Sequence, residues 1–247
     1  MICIGLDLAW SPRNRTGAAI LRDNTLVAYT GVLGSNDDIF AFVAPYLQDD
    51  SPAVIAVDAP LRVPNATGRR ACDQALTAEW RRFEAGALPT NRRLLAFDGE
   101  VRGETLVTYF AQHYGFVESA PLPQQGQGRY LCEIFPHPAH IRFFGLTRTL
   151  KYKGRPGRTH DQRLAEFARY QSLLATLQQA TPPLLGTSYL LAADLTALRG
   201  QALKAYEDTL DAVTCAYTAA YLWQHGPAFT RVYGSIVEGH ILTPLPP

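Results

Sequence analysis

The stretch M-I-C-I-G-L-D-L-A-W at residues 1–10 decides the fold. Its run of small and β-branched apolar residues from Ile2 to Leu6 has the character of a strand buried on both faces, as in the parallel part of an α/β sheet. Asp7 closes that run, and a carboxylate there needs a partner. One reading makes Asp7 a turn cap or the partner of an arginine. The other makes it a metal ligand at the centre of a sheet, and that reading requires further acids at the ends of neighbouring elements.

Outward from this strand, a turn through Ser11, Pro12, Arg13, Asn14 and Arg15 leads to a strand over 16–21, a turn at Asp23-Asn24 and a third strand over 25–33, an antiparallel meander. Ser35-Asn36-Asp37-Asp38 has N-cap chemistry for a helix through Leu47, with Ile39, Phe40, Val43 and Leu47 on one face. Residues 53–57 form a wholly apolar strand ending in Asp58. The order β-β-β-α-β calls for a mixed sheet in which the fourth strand lies parallel to the first, so that Asp7 and Asp58 stand side by side. Residues 60–128 read as an insertion on that edge, with helical periodicity over 70–84 and 103–114. A strand over 129–135 carries Glu133, followed by Pro136-His137-Pro138-Ala139-His140 and a short helix. A long amphipathic helix over 159–180 stops before Pro182-Pro183, another runs over 203–224 to Gly226-Pro227, and 231–247 reads as a short strand with a proline-rich finish. The expected fold is a single α/β domain over 1–247. Its mixed five-stranded sheet has the first three strands antiparallel and is flanked by helices, with a mostly helical insertion after the fourth strand.

Composition narrows the function classes. With 23 Lys+Arg against 22 Asp+Glu in 247 residues the net charge is +1, so no global field draws the protein to nucleic acid or membrane. Local excesses of arginine and lysine over 62–93 and 148–163 nevertheless suggest two basic patches. Cys3, Cys72, Cys132 and Cys215 lie far apart without metal-ligand spacing, which argues against zinc and for reduced, buried thiols in a cytoplasmic protein. The opening residues lack signal-peptide character, and no apolar run approaches membrane-spanning length.

The last long helix contains Asp208 and Asp211, three residues apart and so on one face. The A-V-T-C-A-Y-T-A-A-Y that follows offers water almost no polar side, which sets Asp211 against the core. Asp7, Asp58, Glu133, Asp208 and Asp211 are therefore candidates to converge at one sheet edge. So many carboxylates repel one another unless a cation neutralises them, and oxygen-only ligands select Mg²⁺ or Mn²⁺. Two such ions about 4 Å apart activate water and stabilise the leaving oxygen of a phosphodiester. The candidate catalytic residues are thus the five acids. His137 is a candidate base or phosphate contact. Lys151 and Lys153, beside Tyr152 as a stacking surface, could meet phosphates, and Arg69, Arg70, Asn91 and Arg92 would bind substrate if the insertion folds over the acids.

The motifs G-L-D-L-A-W, A-V-D-A-P-L at 56–61, G-R-R-A-C-D at 68–73, C-E-I-F-P-H-P-A at 132–139, Y-K-G at 152–154 and D-T-L-D-A-V-T-C-A-Y-T-A at 208–219, with V-Y-G and G-H-I-L-T-P in the tail, resemble domain-of-unknown-function family 429 over nearly the whole chain. That resemblance implies a ribonuclease H-like fold and a predicted nuclease, acting on nucleic acid or a nucleotide. The acidic pattern is also similar to RuvC-type resolvases, which implies that Asp7, Asp58, Asp208 and Asp211 hold the metal, with Asp at 58 in place of the resolvase Glu; Glu133 has no counterpart there. An actin- and hexokinase-like nucleotide-dependent phosphotransferase shares the strand order, but the turn after Asp7 lacks its glycine-rich phosphate loop. A non-catalytic binding protein, its acids salt-bridged to the insertion's arginines, is the third alternative: paired arginines within reach of all the acids would favour it, and unpaired acids would favour metal.

Overall fold

β1 (Ile2–Asp7) has no polar face because both of its faces are covered. In the computed structural model, which describes residues 1–11 and 13–245, the strands following it are β2 (Thr16–Arg22), β3 (Thr25–Leu33) and, after helix α1 (Asn36–Val43), β4 (Ala53–Val57). The insertion contributes α2 (Ala71–Trp80), α3 (Arg92–Leu95), a short ribbon of β5 (Ala96–Phe97) and β6 (Glu100–Val101), α4 (Arg102–Tyr114) and β7 (Val117–Glu118). β8 (Arg129–Glu133), α5 (Pro136–Phe144), α6 (His160–Thr176), α7 (Ser188–Leu191) and α8 (Gly200–His225) come next, and β9 (Thr230–Ser235) and β10 (Gly239–Pro244) close the chain.

The main sheet runs β3-β2-β1-β4-β8-β7, antiparallel through the first three strands and parallel from β1 onward. It has six strands where five were expected. The extra one, β7, is two residues at the edge, too short to leave a periodic signal, and it belongs to the segment read as helical insertion. The tail differs as well: β9 and β10 form a hairpin that extends the sheet edge through the Ile134–Leu242 bridge, while Pro246 and Pro247 of the expected proline-rich finish lie outside the described residues. No described helix is long and apolar enough to cross a membrane.

Pleat parity sorts the core into two layers. Ile2, Ile4 and Leu6 pack with Ile39, Phe40, Leu106 and Phe110 of α1 and α4. Cys3 of the opposite face packs with Val54, Ala56, Cys132 and the small residues of α8. Three glycines let α8 lie against the sheet: a methyl group built on Gly5 of β1 would stand 2.9 Å from the Ala216 Cα, one on Gly17 of β2 2.5 Å from the Asp208 carbonyl carbon, and one on Gly31 of β3 2.6 Å from that of Ala205. The helix that carries Asp208 and Asp211 is thereby seated directly over the strand that carries Asp7.

Candidate active site

Three elements deliver four aspartates to the carboxyl edge of the sheet. β1 and β4 pair in parallel with Leu6 opposite Val57, so Asp7 and Asp58 stand level, and their parity with Cys3 and Ala56 points both toward α8. From α8, Asp208 and Asp211 come from the same helix face, each almost wholly buried. Asp7 and Asp58 line a cleft of about 460 Å³ whose walls come from the insertion (Gly86, Ala87, Thr90) and from the segment 149–158 after α5. Trp10, 36 % exposed, stands at its rim.

The protein neutralises half of this cluster itself. Asp211 receives the Tyr152 hydroxyl on Oδ1 at 2.6 Å and the Lys153 ammonium beside Oδ2 at 2.9 Å, an ion pair without the alignment of a hydrogen bond. Asp208 accepts from Lys204 Nζ on Oδ1 at 2.6 Å. Its Oδ2 is buried without a partner N–H or O–H, and its carboxyl lies close enough to that of Asp7 for a proton to bridge the two groups. Among the described residues neither Asp7 nor Asp58 has a lysine or arginine in ion-pair contact.

These placements set the titration of the group. Burial, reinforced by the charges of Asp211, Asp58 and Asp208, lifts Asp7 well above the ordinary carboxylate range despite Lys153. Burial likewise pushes Asp58 up to about 7, and Lys153 only partly offsets it. Asp208 is raised by burial against the pull of Lys204. Asp211 alone falls below its usual range: Lys153 and Tyr152 outweigh its burial. Lys153 in turn is held charged, because Asp211, Asp7 and Asp58 overcome its own desolvation.

The donor chemistry suits a hard divalent cation: carboxylate oxygens only, one of them a buried orphan on Asp208. Among the described residues no three His, Cys, Asp or Glu side chains are already set as a metal cage. The aspartates are gathered but not closed around a centre, and the Lys153 ammonium stands among them.

Glu133 is brought to the cleft but not to the cluster. It shares parity with Leu131, so its side chain leaves the sheet on the face opposite Asp7 and Asp58. There it takes a two-pronged grip from Arg70, Nη1 to Oε2 at 2.8 Å and Nη2 to Oε1 at 2.6 Å, and accepts from the Leu61 N–H at 2.9 Å. Arg70 also binds Asp73, which accepts from Thr90. Burial still raises Glu133 to about 7 against the pull of Arg70. The result is a buried clamp fastening the insertion to the end of β8.

Of the other candidates, His137 and Lys153 face the cleft. The His137 Nδ1 is held by the Thr149 hydroxyl at 2.8 Å, and burial together with Lys153 keeps the ring neutral, well below its usual pKa. Lys151, also on the cleft wall, is spent on Glu84 and Arg92 on Glu104, while Arg69 among the described residues reaches only Thr77 and the Ala87 carbonyl. Asn91 caps α3 through the Leu94 N–H and donates to the Gly68 carbonyl. The suggested basic patches are thus partly neutralised: Arg62, Arg70 and Arg92 of the first and Arg148, Lys151, Lys153 and Arg163 of the second are ion-paired, whereas Arg155 and Arg158 on the cleft wall have no acid in ion-pair contact among the described residues. Tyr152 is no stacking surface: it is fully buried. The site residues without a sequence signal are Tyr152 as a donor to Asp211, Tyr170, which links Asp211 to His140 and Thr214, and Lys204, whose only trace is its position four residues before Asp208.

Compared with known proteins, residues 5–233 match a family model described as "Protein of unknown function (DUF429)". No curated protein and no solved structure matches the chain.

Proposed function

The chain belongs to the DUF429 family, and from that membership and the geometry of the cleft we propose that it is a divalent-metal-dependent phosphoester hydrolase of ribonuclease H-like fold, acting on nucleic acid or a nucleotide. The observation that carries this reading is the pair Asp7 and Asp58, side by side at the floor of the cleft with no lysine or arginine among the described residues in ion-pair contact, next to the orphan Asp208 Oδ2. Buried carboxylates in that state are raised in pKa and destabilise the protein when ionised, a cost that a bound cation removes.

Asp7, Asp58 and Asp208 would hold Mg²⁺ or Mn²⁺. When bound, such an ion supplies Lewis acidity toward a phosphoryl oxygen and lowers the pKa of water. The protein's own groups do the rest. Neutral His137 reaches the cleft with Nδ1 fixed by Thr149, so its Nε2 is available to take or give one proton at the substrate. Arg155 and Arg158 on the cleft wall meet phosphate charge, and Trp10 at the rim offers an aromatic face to a base. Four buried free cysteines suit a reducing compartment, the cytoplasm.

The lysine pairs on Asp211 and Asp208 favour one second reading, a non-catalytic site for an anionic ligand. The two separate in one experiment. Single-stranded DNA, RNA and a simple aryl phosphodiester are incubated with wild type, D7N and D58N in Mn²⁺ or Mg²⁺. The expected result is cleavage by wild type alone, with both variants folded and, without added metal, melting no lower than wild type, because each removes a buried carboxyl group that its neighbours repel. Ligand binding without turnover under either cation would replace the hydrolase by the binding protein.

A further inference from the structure

Asp211 is the one acid of the cluster met by both a buried hydroxyl and an ammonium. The hydroxyl and the ammonium that satisfy it belong to consecutive residues, Tyr152 and Lys153, so a single stretch of backbone delivers both, at 2.6 and 2.9 Å. That stretch is itself pinned: Arg163 Nε donates to the Tyr152 carbonyl at 2.8 Å, Arg158 donates to the Lys153 carbonyl, and the Lys151 N–H donates to Glu166 at 2.6 Å. A lysine on a free surface loop would keep its rotamers and gain little from an ion pair. This one is positioned from both sides, with its side chain 29 % exposed and that of its partner 0 %.

Charge counting gives the arrangement a meaning. Fully ionised, Asp7, Asp58, Asp208 and Asp211 carry four negative charges. Lys153 offsets one of them, and Lys204, which bridges Asp208 and Glu207, offsets with Arg163 the charges of those two acids, so that two charges of the four are met. What remains equals one divalent cation. A second divalent ion would leave the floor of the cleft positively charged by two, in a place where burial makes unbalanced charge costly.

We infer that Lys153 is a resident cation of the carboxylate cluster: its ammonium, held on Asp211, fills the place of one of two divalent ions, and Asp7, Asp58 and Asp208 hold a single ion. The inference rests on the metal-dependent reading above and departs from a two-ion site. It also accounts for an ammonium set against Asp211 at 2.9 Å in a cluster where, among the described residues, no metal cage is preset.

The test counts ions. Mn²⁺ is titrated into wild type, K153M and K153R and followed by the paramagnetic resonance of free Mn²⁺ and by calorimetry, with a thermal melt of each protein. Wild type and K153R are expected to saturate at one ion per chain and K153M at two. Equal stoichiometry in wild type and K153M overturns the inference whatever its value. If that common value is not zero, metal dependence itself survives; if it is zero, the metal reading falls too. Wild type without Mn²⁺ but K153M with it would leave Lys153 as the cation and remove the metal from the natural site. Should the melt show K153M unfolded, wild type decides alone: one ion supports the inference and two overturn it.

Discussion

Substituting Gly17 by alanine tests the close approach that builds the site. The new methyl group would stand 2.5 Å from the carbonyl carbon of Asp208, against the 3.4 Å at which ordinary van der Waals contact begins, and it would overlap the carbonyl oxygen outright. The obstacle is helix backbone, which has no rotamer to change. Relief requires α8 to retreat from β2 by at least about 0.9 Å, the difference between those two distances. The helix is also gripped at Gly5 and Gly31, so it must tilt or lift along its length. Overpacking of a filled interior costs about 1–3 kcal/mol, and a rigid backbone obstacle belongs at the upper end. For a protein of this size about 3 kcal/mol lowers the melting temperature by roughly 6–12 °C. The assay is a thermal melt with urea unfolding at fixed pH, in which the midpoint falls while the slope stays near wild type. Because the retreating residue is Asp208 itself, Mn²⁺ affinity should fall in the same variant. A G17A protein melting within about 2 °C of wild type would show that α8 does not bear on β2 as described.

Two further outcomes follow from the buried polar groups. R70M leaves Glu133 and Asp73 buried with no cation, so urea unfolding should register a loss of about 3–5 kcal/mol, partly recovered in R70M/E133Q; a loss under 1 kcal/mol would mean that water replaces the guanidinium freely. His140 and His240 are buried and pushed by desolvation from 6.5 to about 4, so the 3.4 Å approach of His240 to Glu118 is not an ion pair at neutral pH. The unfolded chain protonates these rings first, so their stabilising effect is complete above 6.5 and lost as pH falls toward about 4. Each contributes a slope of up to about 1.4 kcal/mol per pH unit in that window. H240Q should flatten the wild-type slope, and an unchanged slope would remove His240 from the account.

What could be read from the sequence depended on whether the signal was local. The strand over 2–6, the parallel partner over 53–57 and the small-residue face after Asp211 each announced burial by composition, and together they were enough to bring Asp7 and Asp58 to one edge. The separation of Glu133 from the cluster could not be read in this way, because it turns on which of Leu131 and Cys132 faces α8, and packing rather than an acid in an apolar strand decides that. Partner choice was not legible. The runs of arginine and lysine looked like basic patches because their acids lie far along the chain: Glu118 for Arg62, Glu133 for Arg70, Glu84 for Lys151. The same blindness hid the resident lysine, since Lys153 and Asp211 meet only after α6 and α7 have been folded away between them. A carboxylate cluster read from sequence therefore overstates its appetite for metal, because acids at strand ends announce themselves by their surroundings while the cations that neutralise them arrive by topology.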